Sequence, residues 1–467
     1  MDLIENKTFD EIVVGQSARI DRTLEENDIL LFGVMSGDTN PTHFQSEGGA
    51  KGETAVVGHG LWSATLISNL LGNQLPGPGT TYKSQQLEFH RRVLLGDTIS
   101  VSITVTGKNP TDKSVDFSCL AVNQRGENVF TGTASVYAPA EKIRCAPRAL
   151  PQMKPTLGHH VFDKLIAQCK GMEPLTMAVC HPCDEVSLGG PIKAAEEGLI
   201  EPVLVGPKAR ILAVAEKIGV DISRYRIVES EHSQDSAVKS VALCRSGEVE
   251  GLIKGSLHTD EMMHAVTSRD AGLRTNRRIS HAFVMDVPSY ARMLVITDAA
   301  INIYPTLEDK VDILQNCIDL VQSLGIQQPK VAILSAVETV YPKITSTLDA
   351  AALCKMTDRG QITGALVDGP LAFDNAISAE AARIKKINSP VAGQADILLV
   401  PDLEAGNMLA KQLSYLADAE AAGIVLGARV PIVLTSRADS ERARLASCAV
   451  AVLHARRRQE KLAVIAA

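Results

Sequence analysis

The sequence is poor in aromatic residues, with 4 % Phe, Trp and Tyr and a single Trp in 467 residues. Its apolar mass, within a 45 % hydrophobic content, is therefore aliphatic, which suits α/β cores. There is no long basic run and no interleaving of aromatics with Lys or Arg, and the formal net charge is −7. Nucleic acid is thus not an expected partner. Any anionic ligand must be held by local cations and backbone N–H groups, not by a global field. No stretch approaches the roughly 18 apolar residues of a membrane span. The start, "MDLIENKTFDEI", lacks the basic and apolar regions of a signal peptide. A cytoplasmic chain with no membrane partner is expected. Nine cysteines, an odd number scattered along the chain, fit reduced thiols and not a disulfide framework. Cys180 and Cys183 form a lone Cys-x-x-Cys with no partners for zinc and no thioredoxin-like frame, so they read as structural. No resident metal and no bound cofactor are expected. Gly-x-Gly-x-x-Gly and Walker sequences are missing, which argues against nucleotide-hydride and ATP chemistry.

At roughly 150 residues per domain, the length allows about three domains. Pro139, Pro147, Pro151 and Pro155 crowd one segment, 137–157. Proline at that density blocks helix and sheet ladders and favours an extended tether. The segment 139–155 is read as a linker between a unit at 1–138 and another at 156–467. In the first unit, "TTYKSQQLEFHRRV", "DTISVSITVTG", "KSVDFSCLAVNQ" and "NVFTGTASVYA" alternate and are rich in β-branched residues. Gly107–Pro110 and Arg125-Gly126 break these runs as hairpin turns do. The segment "GLWSATLISNLLG" (60–72) is apolar nearly all round, the mark of a buried helix. An antiparallel sheet wrapped around one buried helix, an α+β hot-dog arrangement, is the economical solution.

After the linker, short apolar runs ("TMAVC", "PVLVG", "GLIKG", "KVAILSAV", "ITGALVDG", "ADILLVPD", "PIVLTS") alternate with helical stretches such as 207–218, 376–387 and 404–417. That rhythm implies βαβ units and a mostly parallel sheet, in which ligands bind at the carboxyl ends of strands.

The stretch "VMSGDTNPTHFQ" puts Asp38 and His43 on either side of an Asn40-Pro41 turn. A carboxylate and an imidazole facing one point can hold a water, one deprotonating it and the other positioning it. Gly60, in "GHGLW", falls at or near the start of the buried helix. There its N–H and the positive end of the helix dipole can polarise a carbonyl oxygen. Such a set is what adding water to an α,β-unsaturated thioester requires. A plainer reading is that Asp38 caps a turn and His43 is a loop histidine. "SGDTNPTHF", "GHGLWSATLISNLLGNQLPGPGTTY" and "LEFHRRVLLGDTISVSITV", in this order, resemble the MaoC-like (R)-specific enoyl-CoA hydratases of the hot-dog fold. The resemblance covers about residues 8–138. It implies that Asp38 and His43 are the catalytic pair, Gly60 N–H the oxyanion donor and Asn40 a substrate-binding residue. It also implies a homo-oligomer, typically a dimer.

In the second unit, "VPIVLTSRADSERARLAS" (430–447) reads as strand, polar turn and helix. Ser436, Arg437 and Asp439 sit at the junction, where a helix N-terminus and an arginine fork suit a phosphate. Capping by Asp439 or Ser440 is the plainer alternative. Other strand ends place Lys254, Gly255, Ser256 and His258, then Asp298 and Asn302, then Asp368, Gly369, Asp374 and Asn375. Each group alone reads as a turn or cap, and all of them are expected to converge on one edge of the sheet. "HPCDEVSLGGPIKAAEEGLIEPVLVGP", "KGSLHTDE", "GLRTNRRISHAFVMDVP", "TDAAINIYP", "DGPLAFDNAIS", "VPDLEAGNMLAKQL" and "LTSRADS" resemble the phosphate acetyl/butyryltransferase family across about 155–455. That likeness implies an α/β fold of two subdomains, the second near 300–425, with a cleft between them. It implies exchange of acyl-CoA plus phosphate with acyl phosphate plus CoA. Coenzyme A thioesters and phosphate are then substrates. Ser436 and Arg437 match the family's active-site pair, with Asp439 beside them. Lys254, Gly255, Ser256, His258, Asp298, Asn302, Asp368, Gly369 and Asn375 are the expected substrate-binding positions. One departure stands out: the acetyltransferase branch carries an active-site aspartate six residues after that arginine, where this chain has Ala443. Asp439 is the nearest carboxylate, and the likeness reads as closer to the butyryltransferase branch or to fused relatives. The expectation is a bifunctional acyl-CoA enzyme. Its rival is a hydratase carrying a non-catalytic, acyl-CoA-binding and oligomerising module.

Overall fold

The computed structural model describes residues 3–44, 56–146, 158–435 and 439–466, with side chains up to residue 460. Residues 147–155 of the segment read as a linker, and Ser436 and Arg437, lie outside the described residues. The chain divides into two compact units, Met1–Pro155 and Thr156–Ala467.

The first unit is a five-stranded antiparallel sheet. In spatial order its strands are Ser17–Thr23, Thr98–Asn109, Ser114–Asn123, Asn128–Tyr137 and Thr81–Phe89. The alternation in the sequence is the reason: Ile99, Val101, Ile103 and Val105 all face the core while their neighbours do not. The helix Gly60–Asn73 packs against strand Thr98–Asn109. It buries Trp62, Ala64, Ile67, Leu70 and Leu71 at three- and four-residue spacing. Burial on all sides, expected from its composition, is not found, because Leu61 on the opposite side is 61 % exposed. One face suffices, since a one-layer sheet can cover only one side of a helix. Part of the segment read as a linker is held on this unit. Arg144–Cys145 pairs with Ile4–Glu5, Asn6 Nδ2 donates to Glu141 O at 2.8 Å, and Phe9 N donates to Pro139 O at 3.0 Å.

The second unit is built on one eleven-stranded sheet. Its first block runs Ile227–Glu229, Ile200–Gly206, Leu175–Cys180, Gly251–Lys254 and Ile432–Val433, all parallel. Then come Glu420–Leu426 and Ser280–Asp286, each antiparallel to its neighbours. The second block, Leu294–Thr297, Ile397–Leu399, Lys330–Leu334 and Leu366–Leu371, is again parallel within itself. Three antiparallel steps in the middle reverse the second block relative to the first. The carboxyl ends of the two blocks therefore lie on opposite edges of the sheet. The stretch expected as a helix over 376–387 is two short helices, Phe373–Ile377 and Ala379–Ile384. Ser378 leaves the helical region there, and its hydroxyl accepts from Ala381 N to start the second.

Candidate active sites

The helix Glu26–Ser36 stops at Gly37, whose φ of +73° is left-handed and tolerated by glycine. Asp38 is thrown clear of the helix end, and its Oδ1 accepts from Asn40 N at 3.1 Å. Asn40 then caps the single turn Pro41–His43, its Oδ1 accepting from Thr42 N and Thr42 Oγ1. Pro41 occupies the first position of that turn, where a missing N–H costs nothing. The turn delivers His43 back toward Asp38, with Nε2 3.8 Å from Oδ2. His43 Nδ1 lies 2.6 Å from Val57 O. A carbonyl can only accept, so Nδ1 carries a proton, and Nε2 is the nitrogen turned toward Asp38. Gly60 opens the central helix, so its N–H has no carbonyl four residues back to bond. A Cβ added at Gly60 would meet nothing within 4 Å, so the chain is not crowded on that side of the glycine.

The sequence reading quoted His59 without giving it a role. The structure puts it in the site. His59 is 3 % exposed, stacks on His43 with ring centroids 3.9 Å apart, and has its Nε2 4.0 Å from the same Asp38 oxygen. Neither ring nitrogen makes a well-aligned hydrogen bond among the described residues, and the Asp38 backbone and carboxylate only partly favour the charged form of His59. Burial, and then the neighbouring His43, lower its pKa below 6.5, so it is held neutral. The donor atoms of Asp38, His43 and His59 fall within 4.8 Å of one another, a spacing open to a metal ion. The two rings, however, are only 27° from parallel, so their in-plane lone pairs run side by side and do not converge on one point. The set fits water better than a shared cation. The one hint in the sequence was the position of His59 against Gly60. Its stack on His43 is a tertiary contact that spacing does not report.

His59→Leu should keep the core filled and lower kcat for any reaction that uses the Asp38/His43 pair about 10- to 100-fold, the scale on which a misplaced catalytic group costs rate. It should also flatten the acid side of the stability curve. With a depressed pKa in the fold, the unfolded chain binds the proton first. The stability His59 contributes is present above about 6.5 and lost as pH falls below it. Unchanged kcat together with an unchanged pH dependence of denaturation would reduce His59 to packing.

In the second unit, the adjacent parallel strands Leu175–Cys180, Gly251–Lys254 and Ile432–Val433 end side by side. Their ends bring Asp184, Ser187, Lys254, Gly255, Thr435 and Arg444 around one cavity. Asp184 caps the helix Glu185–Glu196, accepting from Ser187 N at 2.8 Å, so a helix N-terminus faces the cavity beside a lysine and an arginine. Helix dipole and cations together suit an anion. Asp184, Ser187, Thr435 and Arg444 were not singled out from the sequence. The Asp-x-x-Ser capping pattern after "TMAVC" was the available signal for the first two. Asp439 lies just before the helix Glu441–Ala466, and Ser440 Oγ accepts from Ala443 N. Ser256 N donates to His181 O, and His258 is exposed at the start of the helix Thr259–Thr267. Gly255 is demanded by the chain itself, since a Cβ there would lie 2.2 Å from Cys180 O. Gly255→Ala should destabilise the second unit by about 1–3 kcal/mol, read as a lower midpoint of chemical denaturation. An unshifted midpoint would mean the strands part at no cost. Burial pushes the Cys180 thiol up to about 12 and raises that of Cys183, so neither is a ready nucleophile.

The expected convergence on one edge is not found. Asp298 follows Leu294–Thr297, Asp368 and Gly369 belong to Leu366–Leu371, and Asn375 to the short helix Phe373–Ile377 after it. All are in the reversed block, across the sheet from Lys254. Asp298 is buried and accepts from Ala300 N, Ile301 N and Asn302 Nδ2, while Asn302 Nδ2 also donates to Ile279 O. This pair ties a loop together. Gly369 is fixed by packing, a Cβ there lying 2.7 Å from that of Ile333. Asn375 is fully buried, its Nδ2 3.5 Å from Glu338.

Comparison with known proteins accords with both architectures. Residues 11–121 match the MaoC-like domain model, and residues 230–452 match the phosphate acetyl/butaryl transferase model. Over 298 residues the chain is 64 % identical to a phosphate acetyltransferase of Rhizobium meliloti, covering 64 % of this chain and 94 % of that protein. It is 42 % identical over 292 residues to a phosphate butyryltransferase of Clostridium acetobutylicum, covering 62 % of this chain and 97 % of that protein. A branched-chain phosphotransacylase from Enterococcus faecalis superposes with a TM-score of 0.54 at 28 % identity, over 60 % of this chain and 99 % of that one. The chain belongs to the phosphate acetyl/butyryltransferase family, with a MaoC-like hot-dog domain in front of the transferase fold. The expected likeness is closer to the butyryltransferase branch or to fused relatives; identity is 64 % to the acetyltransferase of Rhizobium meliloti and 42 % to the butyryltransferase of Clostridium acetobutylicum.

Proposed function

We propose that the chain is a bifunctional acyl-CoA enzyme: its first unit hydrates an enoyl-CoA to a 3-hydroxyacyl-CoA, and its second exchanges the CoA of an acyl-CoA for phosphate. For the second activity, the observation that carries the reading is the 64 % identity to a phosphate acetyltransferase over nearly all of that protein's length. The rival reading, a non-catalytic binding module, has no comparable support. For the first activity, the support is the Asp38/His43 pair with the helix start at Gly60.

In the hydration step, a water lies within reach of Asp38 Oδ2 and His43 Nε2, whose 3.8 Å separation leaves both free to accept from it. Its oxygen bonds to the β-carbon as its proton passes to the pair. The α-carbon then takes that proton back from the pair, which restores it, and the thioester oxygen, carrying charge meanwhile, is held by Gly60 N–H. In the exchange step, the phosphate oxygen bonds to the thioester carbonyl carbon, and the C–S bond breaks to release CoA. Lys254, Arg444 and the start of the helix Glu185–Glu196 offer positive charge for the anion. Coenzyme A thioesters and phosphate are the substrates, and no step requires a bound cofactor. The test is to assay the purified full chain for crotonyl-CoA hydration and, separately, for phosphate- or arsenate-dependent loss of acetyl-CoA. Both activities are expected. Hydration alone would restore the binding-module reading, and exchange alone would make the Asp38 site structural.

A further inference from the structure

The second unit has another cavity, of about 400 Å³, outside the site already described. Loop 275–277, the helix Leu307–Ser323, turn 426–428 and the later turns of the helix Glu441–Ala466 enclose it. Its position follows from the strand directions. Turn 426–428 continues the carboxyl end of Glu420–Leu426, and loop 275–277 leads into the start of Ser280–Asp286. Both lie on the edge opposite Lys254 and Thr435. Arg444 lines the first cavity and Arg457 the second, on one helix. Thirteen residues at 1.5 Å each put them about 20 Å apart. A ligand in the second cavity cannot touch a group being transferred in the first.

The charge around this cavity is unbalanced. Arg277, Arg457 and Arg458 line it with one carboxylate, Asp319, which already takes Arg277 Nη1 at 2.6 Å. The run Arg456-Arg457-Arg458 divides by role. Arg456 turns away to Glu250 at 2.7 Å and Pro174 O at 2.9 Å. Arg458 Nη1 is 3.3 Å from the carbonyl oxygens of Ala428 and Arg429. Arg457, half-buried between them, has no hydrogen bond or ion pair to any described residue. A half-buried guanidinium with no protein acceptor in a concave site is placed to take an anion. The lining has no Phe, Tyr or Trp ring, His454 being its one ring, and its volume is at the small end of ligand sites.

We infer that this cavity binds a compact polyanion, a small molecule with two or more carboxylate or phosphate groups, through Arg457 with Arg277 and Arg458 beside it. The inference stands apart from the transferase reading, because none of these residues belongs to that cleft. The test is calorimetric titration of the full chain, at fixed ionic strength, with citrate and with pyrophosphate. One or both should bind at one site per chain, and the better ligand tells whether carboxylates or phosphates are preferred. Arg457→Ala should weaken that binding at least about tenfold. Arg457→Lys should fall between, since an ammonium keeps the charge but loses the fork. The KM for phosphate in acyl exchange should be the same in all three proteins. Circular dichroism checks that each variant is folded. The inference is overturned if neither anion binds the wild type, or if folded Arg457→Ala binds as tightly as the wild type.

Discussion

Asp38→Asn should reduce crotonyl-CoA hydration by about 10²–10⁴ in kcat, the range for losing one acid/base group. The amide keeps the shape of the carboxylate and can still accept from Asn40 N through its oxygen, so the turn should survive. What it loses is an oxygen able to take the water's proton at the point His43 Nε2 faces. His43→Gln should act similarly, while also breaking the bond to Val57 O that orients the ring. Acyl-phosphate formation should be unchanged in both, and an unchanged thermal unfolding transition of the first unit should show that the loss is local and not a failure to fold. Near-normal hydration by folded Asp38→Asn would reduce the turn to structure and remove the hydratase assignment.

Much of this site was legible because the information is local. A glycine that ends a helix, an Asn-Pro turn and a histidine three residues after the Asn fix the backbone path within ten residues. The sheet was legible too, since alternation such as Ile99, Val101, Ile103 and Val105 reports a half-buried strand wherever it pairs. His59 was not, because its partner ring arrives from another segment. The second unit shows the same limit at larger scale. An apolar run such as "ITGALVDG" marks a buried strand but carries no direction relative to its neighbours. The three antiparallel steps around Glu420–Leu426 and Ser280–Asp286 are set by how the chain crosses the sheet. Reversing one block moved Asp298, Asp368 and Asn375 to the far edge and left Lys254 with Asp184, Thr435 and Arg444. Gly255 and Gly369 were singled out as polar-loop glycines, yet the reason for each is a backbone or side chain within 3 Å of the missing Cβ.

The largest effect in the second unit is expected at Arg437, which lies outside the described residues. Thr435 lines the cavity with Lys254 and Arg444, and Asp439 stands just before the helix Glu441–Ala466. Exchange of CoA for phosphate builds negative charge at the acyl carbon while an anion approaches it. A fixed cation at that point stabilises the transition state more than the separate substrates. Arg437→Ala should therefore lower acyl-phosphate formation by two orders of magnitude or more, a loss of roughly 3 kcal/mol. Arg437→Lys should restore little, because an ammonium cannot present two parallel donors to phosphate. Hydration by the first unit should be untouched, as Asp38, His43 and Gly60 belong to a separate compact unit. The division between kcat and KM carries the argument further. A fall in kcat with KM for phosphate little changed places Arg437 on the transition state, whereas a rise in KM alone makes it a ground-state anchor. Wild-type exchange that persists in Arg437→Ala would move the chemistry to Lys254 and Arg444, leaving the family assignment in place and the role of Arg437 refuted.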